Sequence, residues 1–281
     1  MSDFARTDLA LEGVGERVVE GVTRTKRGEC FDITEIAIET DEHGKPFGKP
    51  KGRYITMERK ELAGIGEDFC NAANELASEL QKLIPQGSVL VAGLGNSHIT
   101  PDALGPKTAA GIFATRHFGE ELPDTEEFAN LREISVISAG VLGQTGIESA
   151  EILYAICNRI QPKSIIAVDA LACSSVSRLG TTIQICDSGI SPGSGVQNKR
   201  CELSHKTMGI PVIAVGVPTV VDMHTIIESA TGAQANGDLP NMMVTPRNID
   251  RLIEKSAKLL SIGINCALLP KFTPEDFESL V

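Results

Sequence analysis

Apolar and polar positions along this chain follow two patterns, one typical of strands and one typical of helices. Short apolar runs bounded by glycines or polar turns predict buried strands at 89–92, 134–140, 164–171, 181–190 and 210–218. Apolar residues spaced three or four apart predict helices over 61–84, after 147 and near the C-terminus. Strands that alternate with helices indicate a three-layer α/β/α sandwich with a mostly parallel central sheet.

Two segments near the N-terminus carry a different pattern. Polar and apolar residues alternate over 28–38 and again over 52–58, with a turn-rich stretch between them. This alternation predicts two half-buried strands that pair as an N-terminal β-hairpin. Residues 1–12, in contrast, are only weakly periodic and predict an exposed arm.

Residues 88–106, SVLVAGLGNSHITPDALGP, contain the change from the first buried strand to a helix. Pro101 is typical of a first helical position, although Pro106 indicates that the regular helix starts nearer Gly105. Asp102 is therefore expected just outside the carboxyl end of a strand. Open α/β sheets bind their ligands at that edge.

Three threonines stand where helix N-caps are expected, Thr100, Thr145 and Thr245. Thr145 and Glu148 also have the spacing of a capping box. These residues are interpreted as caps rather than as parts of a site.

Two glycine-rich turns are expected to shape a cleft. One ends the strand at 89–92, and the other is the long loop at 191–200. The residues expected to line the cleft are Gly93, Gly95, Asn96, Gly193 and Gly195.

A second aspartate, Asp169, lies near the carboxyl end of the apolar run at 164–171. If the two strands are neighbours, Asp102 and Asp169 face each other, and two close carboxylates shift each other's protonation. One carboxylate can then take a proton from water while the other gives one to a leaving amine. Each aspartate alone would be interpreted as a cap, but two at two strand ends favour a catalytic pair.

Other residues give weaker signals. His98 and His224 lie outside the strands, where either could ligate a metal but is more often an ordinary polar residue. The GLGN turn matches neither glycine-rich phosphate-binding motif, and Ser174 lacks the GxSxG context of a nucleophile. Cys173 is expected to be a buried structural cysteine. No cofactor is predicted, and metal dependence stays open.

Composition narrows the functional classes. A net charge of −11, no Trp and only two Tyr argue against binding to nucleic acid or to an anionic membrane. The seven cysteines include no CxxC pair, which favours a reducing compartment over a disulfide framework. Neither a signal peptide nor a membrane-spanning run is visible, so we expect a cytosolic protein.

Six segments of the chain resemble, in order, those of the spore germination protease family: GLGN…TPDALGP, GVLGQTGIES, AVDALA, DSGISPGSGVQNKR, IPVIAVGVPTVVD and MVTPRNID. The opening RTDLALE is similar as well. By motif, the two aspartates that this family is thought to use match Asp102 and Asp169. The chain has a short spacer at 223–242 where longer members carry an insertion.

This resemblance implies a fold related to the hydrogenase-maturation endopeptidases. It implies an endopeptidase of the spore core that degrades the small acid-soluble proteins coating DNA in dormant spores. It further implies an inactive zymogen that cleaves itself, and a homo-oligomer, with a tetramer as the expected state. Two alternatives stay open: a metal-dependent endopeptidase that uses the same carboxylates, and a non-catalytic maturation or binding protein on this fold.

The N-terminal arm itself resembles a substrate of that family. Family substrates look like Thr-Glu, then Phe or Ile, then Ala-Ser-Glu, with the cut after the first Glu. Residues 7–12 read TDLALE and are similar at most of these positions. We therefore predict self-cleavage between Asp8 and Leu9, which divides the chain into a propeptide arm, 1–8, and a single α/β protease domain, 9–281.

Overall fold

A computed structural model describes residues 7–14, 21–118, 131–193, 201–232 and 242–279. Within these ranges the strands are β1 Val22–Arg27, β2 Asp32–Ile38, β3 Gly52–Glu58, β4 Val89–Leu94, β5 Ile134–Gly140, β6 Ser164–Cys173, β7 Thr182–Cys186, β8 Val212–Asp222 and β9 Met243–Val244. The α-helices are α1 Ala10–Val14, α2 Asp41–Gly44, α3 Phe69–Gln81, α4 Leu104–Ala110, α5 Leu142–Thr145, α6 Ser149–Ile160, α7 His205–Met208, α8 Met223–Thr231, α9 Ile249–Leu268 and α10 Pro274–Glu278. Every predicted strand forms, and β1 and β9 are additional.

The described strands form one mixed sheet in the order β1-β2-β3-β7-β8-β6-β4-β5, with β9 paired to β8. Pairs among β8, β6, β4 and β5 are parallel, whereas β1, β2, β3, β7 and β8 pair antiparallel. The prediction of a mostly parallel sheet was therefore wrong. Only residues 174–181 join β6 to β7, which is too short for the crossover that parallel strands require. The predicted β2–β3 hairpin forms and continues the sheet through β7.

Helices cover both faces of the sheet, as the three-layer prediction requires. On one face α3, α4 and α9 bury an extensive apolar core against the strands. On the other face α6 and α7 cover β4, β6 and β8, and α1 covers β2 and β3. The two faces alternate along each strand because successive side chains point in opposite directions.

The helix starts differ from several of the predictions. The regular helix after Asp102 begins at Leu104, close to the predicted start, and ends at Ala110. None of the three threonines caps a helix. Thr100 lies within a 3₁₀ turn, Thr145 ends α5, and α9 starts only at Ile249. A threonine shortly before an apolar periodic segment can be a helix cap or part of a turn that precedes the helix by a few residues. The sequence does not distinguish the two.

Residues 7–14, which we call the arm, are packed against the sheet. The sequence predicted an exposed segment here, and that prediction was wrong. Leu9, Ala10, Leu11 and Val14 are buried, with Leu9 and Ala10 at 0% exposure. The sequence pattern was misleading because this segment is too short to show a clear period. Residues 1–6 lie outside the described part of the chain.

Two further features concern the cysteines and the length of the helices. All seven cysteines are free, in agreement with the absence of a disulfide framework. Among the described residues, no helix is long and apolar enough to cross a membrane.

Candidate active site

Asp102 lies in the 3₁₀ turn Thr100–Asp102, beside the turn that ends β4. Its Oδ2 accepts a hydrogen bond of 2.8 Å from the amide of Asn96. Gly95 has a φ of 105°, and a Cβ there would lie 2.2 Å from the carbonyl oxygen of Asp102. Glycine at position 95 therefore allows the aspartate to approach the end of the strand.

Two further glycines bring α4 against the sheet behind Asp102. A Cβ on Gly105 would lie 2.2 Å from the carbonyl oxygen of Leu94 and 2.4 Å from that of Val168. A Cβ on Gly93 would lie 2.3 Å from the carbonyl oxygen of Gly105. Gly93, which we expected to shape a cleft, thus permits close packing of helix on strand.

Asp169 is buried on β6 at 5% exposure, and its Oδ1 accepts a hydrogen bond of 2.9 Å from the amide of Ala170. The sheet register continues from Asp169 across β8, β7, β3 and β2. The residues that pair with one another at this level form a row across the strands, which we call the polar row. It consists of Asp169, Gly216, Gln184, Thr56 and Thr34. Its four polar members are buried on one face of the sheet. A Cβ on Gly216 would lie 2.6 Å from the carbonyl oxygen of Asp169 and 2.6 Å from Cγ of Leu171, so glycine at this position allows the Leu171 side chain to pack there.

The register brings the segment that leads to Asp102 beside Asp169. Asp169 itself lies within β6, four residues before that strand ends at Cys173, and not at the strand end that the sequence predicted. Gly93 of β4 pairs with Val168 of β6. The turn that contains Asp102 comes after β4 and therefore lies beside the β6 segment that contains Asp169. The turn of Asp102 also packs against β6 and β8. Adjacent strands lie about 4.8 Å apart. That the two carboxylates share one water stays a prediction.

The arm crosses the sheet face on which the side chain of Asp169 lies. The amide of Asp8 donates to the carbonyl oxygen of Ala172 at 3.0 Å. In return, the amide of Ala172 donates to Oδ2 of Asp8 at 2.8 Å. These two contacts fix the residue before the predicted cleavage site to the end of β6.

The residues after that bond follow the polar row. Leu9 packs in a buried apolar cluster that includes Leu171, the next residue after Asp169 on that face and about 7 Å further along the strand. The amide of Ala10 donates to Oε1 of Gln184 at 3.2 Å. The Asp8–Leu9 bond is therefore bound next to the strand segment that contains Asp169.

Several residues that contact the arm were not identified from the sequence: Lys49, Ser174, Arg178 and Gln184. Gln184 did carry a signal, because it is a polar residue within the apolar strand TIQIC. Ser174 was considered only as a nucleophile. Lys49 and Arg178 lie in connecting segments without periodicity, so no local pattern indicates their role.

Other predicted residues do not join this site in the described part of the chain. His98 is exposed, and its amide donates to Oδ1 of Asn96 at 2.9 Å. The amide of His224 donates to Asp222 at the start of α8. Cys173 is buried as predicted, and burial raises the pKa of its thiol to about 12. Gly193 adopts a left-handed φ of 71°.

Two further predictions concern the 191–200 loop and a bound metal. Gly195 and most of the 191–200 loop lie outside the described residues, so their expected role at a cleft stays a prediction. Within the described ranges, no group of three or more His, Cys, Asp or Glu side chains could hold a metal ion.

Comparison with known proteins gives consistent matches. The family model described as germination protease matches residues 8–232. A germination protease from Priestia megaterium is 42% identical, with 97% of this chain and 95% of the relative covered. One from Caldanaerobacter subterraneus subsp. tengcongensis is 39% identical, with 98% of each chain covered. One from Clostridium perfringens is 35% identical at the same coverage.

Among solved structures, the chain is similar to the [NiFe] hydrogenase maturation protease HycI from Thermococcus kodakarensis KOD1. The two are 16% identical, and the match covers 66% of this chain and 98% of that protein, with a TM-score of 0.38.

Proposed function

Because the chain belongs to the germination protease family and is therefore a peptidase, we propose that it hydrolyses small acid-soluble spore proteins through Asp102 and Asp169. The observation that supports this proposal is the β4–β6 register, in which Gly93 pairs with Val168, so that the turn of Asp102 follows β4 beside the β6 segment that contains Asp169. In this mechanism one carboxylate takes a proton from water, whose oxygen attacks the peptide carbonyl. The other carboxylate protonates the nitrogen of the leaving amine.

The test is cleavage of a purified small acid-soluble spore protein, measured with and without a chelator. Cleavage that persists with chelator and is lost in Asp102→Asn and Asp169→Asn supports the aspartate mechanism. Cleavage that the chelator abolishes favours a metal-dependent peptidase on the same carboxylates. Processed protein that cuts nothing would favour a binding protein instead.

We further propose that the chain is a zymogen that cuts itself between Asp8 and Leu9. The paired hydrogen bonds between Asp8 and Ala172, and the burial of Leu9 beside Leu171, support this proposal. An arm bound over the polar row excludes other peptides from that face, and tethering keeps its effective concentration high. Residues 9–281 would then act as the protease domain.

N-terminal sequencing after incubation tests the self-cleavage. The expected result is a new terminus at Leu9 in the parent chain and its absence in Asp169→Asn. A terminus at another residue, or the same cut in the inactive variant, would contradict self-processing at this bond.

Location in the spore core and assembly into a homo-oligomer, expected to be a tetramer, are also part of the proposal. Their support is the family resemblance, since a spore protease must meet its substrates in the core. Light scattering coupled to gel filtration measures the assembly directly, and a monomer at micromolar concentration would contradict it.

A further inference from the structure

Lys49 lies against the peptide bond between Asp8 and Leu9. Its Nζ donates a hydrogen bond of 2.8 Å to the carbonyl oxygen of Asp8, the oxygen of the bond whose cleavage is proposed above. The lysine comes from the connection between α2 and β3, which is separate from the elements that contain the two aspartates. Lys49 therefore brings a positive charge to the Asp8 carbonyl oxygen from an element that contains neither aspartate.

The backbone around Lys49 is held in place by local contacts. A 3₁₀ turn over Lys45–Phe47 ends at Gly48, whose φ of 64° is left-handed. The amide of Lys49 then donates to the carbonyl oxygen of Gly44 at 3.2 Å. These contacts fix the base of a long side chain, so less freedom is lost when its ammonium binds the carbonyl.

The surroundings of the Lys49 ammonium act on its charge in opposite directions. Burial lowers the pKa of Lys49, while the acidic groups of Asp8, Cys186 and Glu12 act in the opposite direction. The hydrogen bond from Lys49 to Asp8 is partly buried, so the charge is less screened at the carbonyl than it would be in bulk solvent.

From this contact we propose that Lys49 is a catalytic residue of self-cleavage, which stabilises the oxyanion that forms on the carbonyl oxygen of Asp8. The inference rests on the self-processing proposed above. It assigns to Lys49 the hydrogen bond to the oxyanion, while the aspartate pair transfers the protons of water and of the leaving amine.

The proposed self-cleavage hydrolyses the Asp8–Leu9 bond. The oxygen of water attacks the carbonyl carbon of Asp8, one carboxylate of the pair takes the proton of water, and the carbonyl π electrons move to the oxygen. The Lys49 ammonium donates its hydrogen bond to that oxyanion and keeps its proton. When the C–N bond breaks, the oxyanion returns to a carbonyl and the nitrogen of Leu9 takes a proton from the acid of the pair. Asp8 ends as a carboxyl terminus and Leu9 as a free amine.

An anchor for the arm is the competing role for Lys49. The arm has other anchors, however, at the amides of Asp8 and Ala10 and at the carboxylate of Glu12. Loss of the Lys49 contact should therefore leave the arm bound. The two roles can then be separated by measuring cleavage and arm binding in the same variant.

The experiment compares full-length Lys49→Met with the parent chain. Lys45→Met is the matched control, because Lys45 is four residues away, 68% exposed and paired only with the surface residue Glu42 among the described contacts. Appearance of the Leu9 terminus is followed over time. Hydrogen exchange of the Asp8 and Ala10 amides reports whether the arm stays in place.

We expect Lys49→Met to slow self-cleavage at least ~10²-fold, the loss typical when one oxyanion donor is removed. The arm amides should keep their protection, and Lys45→Met should cut at the parent rate. Lys49→Arg, which keeps the charge, should recover part of the rate. If circular dichroism shows that Lys49→Met does not fold, Lys49→Gln is judged by the same criteria.

Three results would overturn the inference. A rate within threefold of the parent shows that Lys49 is not needed, while self-cleavage itself stands. A slow variant whose arm amides have lost protection shows that Lys49 is only an anchor. A parent chain that never yields the Leu9 terminus removes self-cleavage, and the role of Lys49 with it.

Discussion

The carboxylate of Glu12 accepts two hydrogen bonds from Ser174, one from the amide and one from the hydroxyl, each at 2.7 Å. Nη1 of Arg178 lies 3.4 Å from the other carboxylate oxygen, and the Glu12 side chain is only 3% exposed. A residue of the arm is thereby fixed to the segment that follows β6, 162 residues further along the chain.

This contact predicts a stability effect. Glu12→Ala should lower the free energy of unfolding by about 1–3 kcal/mol, because the partly buried donors of Ser174 lose their acceptor. Glu42→Ala is the control, since Glu42 is 77% exposed and its ion pair with Lys45 should change stability by less than about 0.5 kcal/mol. Urea unfolding measures both variants. Equal stability of the two would show that the Glu12 contact contributes nothing.

The aspartates should be required for catalysis and not for folding. We expect Asp102→Asn and Asp169→Asn each to reduce peptide hydrolysis by at least ~10²-fold, because asparagine keeps the shape but cannot exchange a proton. Asp250→Asn, an exposed position in the first turn of α9, should retain full activity. Turnover is measured together with the melting temperature. Near-normal turnover in either variant would remove that aspartate from the pair.

Close packing of α4 should be necessary for the position of Asp102. Gly105→Ala puts a Cβ within 2.4 Å of two backbone oxygens, so α4 must move away from the sheet. We expect a loss of about 1–3 kcal/mol or more in stability, together with reduced hydrolysis. Gly143→Ala is the matched control, because its Cβ would meet nothing within 4 Å. If the two variants behave alike, the contact of α4 with β4 and β6 is not as close as described.

The ion pairs of Glu79 predict a pH dependence of stability. Burial raises the pKa of this carboxyl, but Arg27 and Lys82 outweigh that effect and the net pKa is lowered from the ordinary 4.5. The unfolded chain therefore takes up the proton first as the pH falls. The stabilisation from Glu79 is present above about pH 4.5 and is lost as the pH falls through the lower pKa of the folded state.

Glu79→Gln tests this dependence in urea unfolding at pH 7 and at successively lower pH. The variant should be less stable than the parent at pH 7, and the difference should shrink below about pH 4.5. Glu228→Gln, at an exposed position on α8, should follow the parent at every pH. A constant difference between Glu79→Gln and the parent would show that the ion pairs do not set the titration of Glu79.

Local patterns predicted most of the elements because they reflect which side chains are buried. The runs that became β4, β6 and β8 were identified, and so was the helix over part of 61–84. Element boundaries and strand directions were less accurate. The antiparallel direction of β7 follows from the short connection after β6, and no residue within β7 carries that information.

For the site, the sequence by itself selected Asp102 and Asp169 as a candidate pair, because each is a polar residue next to a buried apolar run, and their catalytic role stays a prediction. Only the tertiary structure showed that the arm lies over β6 and that Lys49 reaches the carbonyl oxygen of Asp8. Hydrophobic periodicity reports burial within one element. Contacts between residues 41 positions apart, as for Asp8 and Lys49, depend on strand order and register, which are set by the packing of the whole sheet.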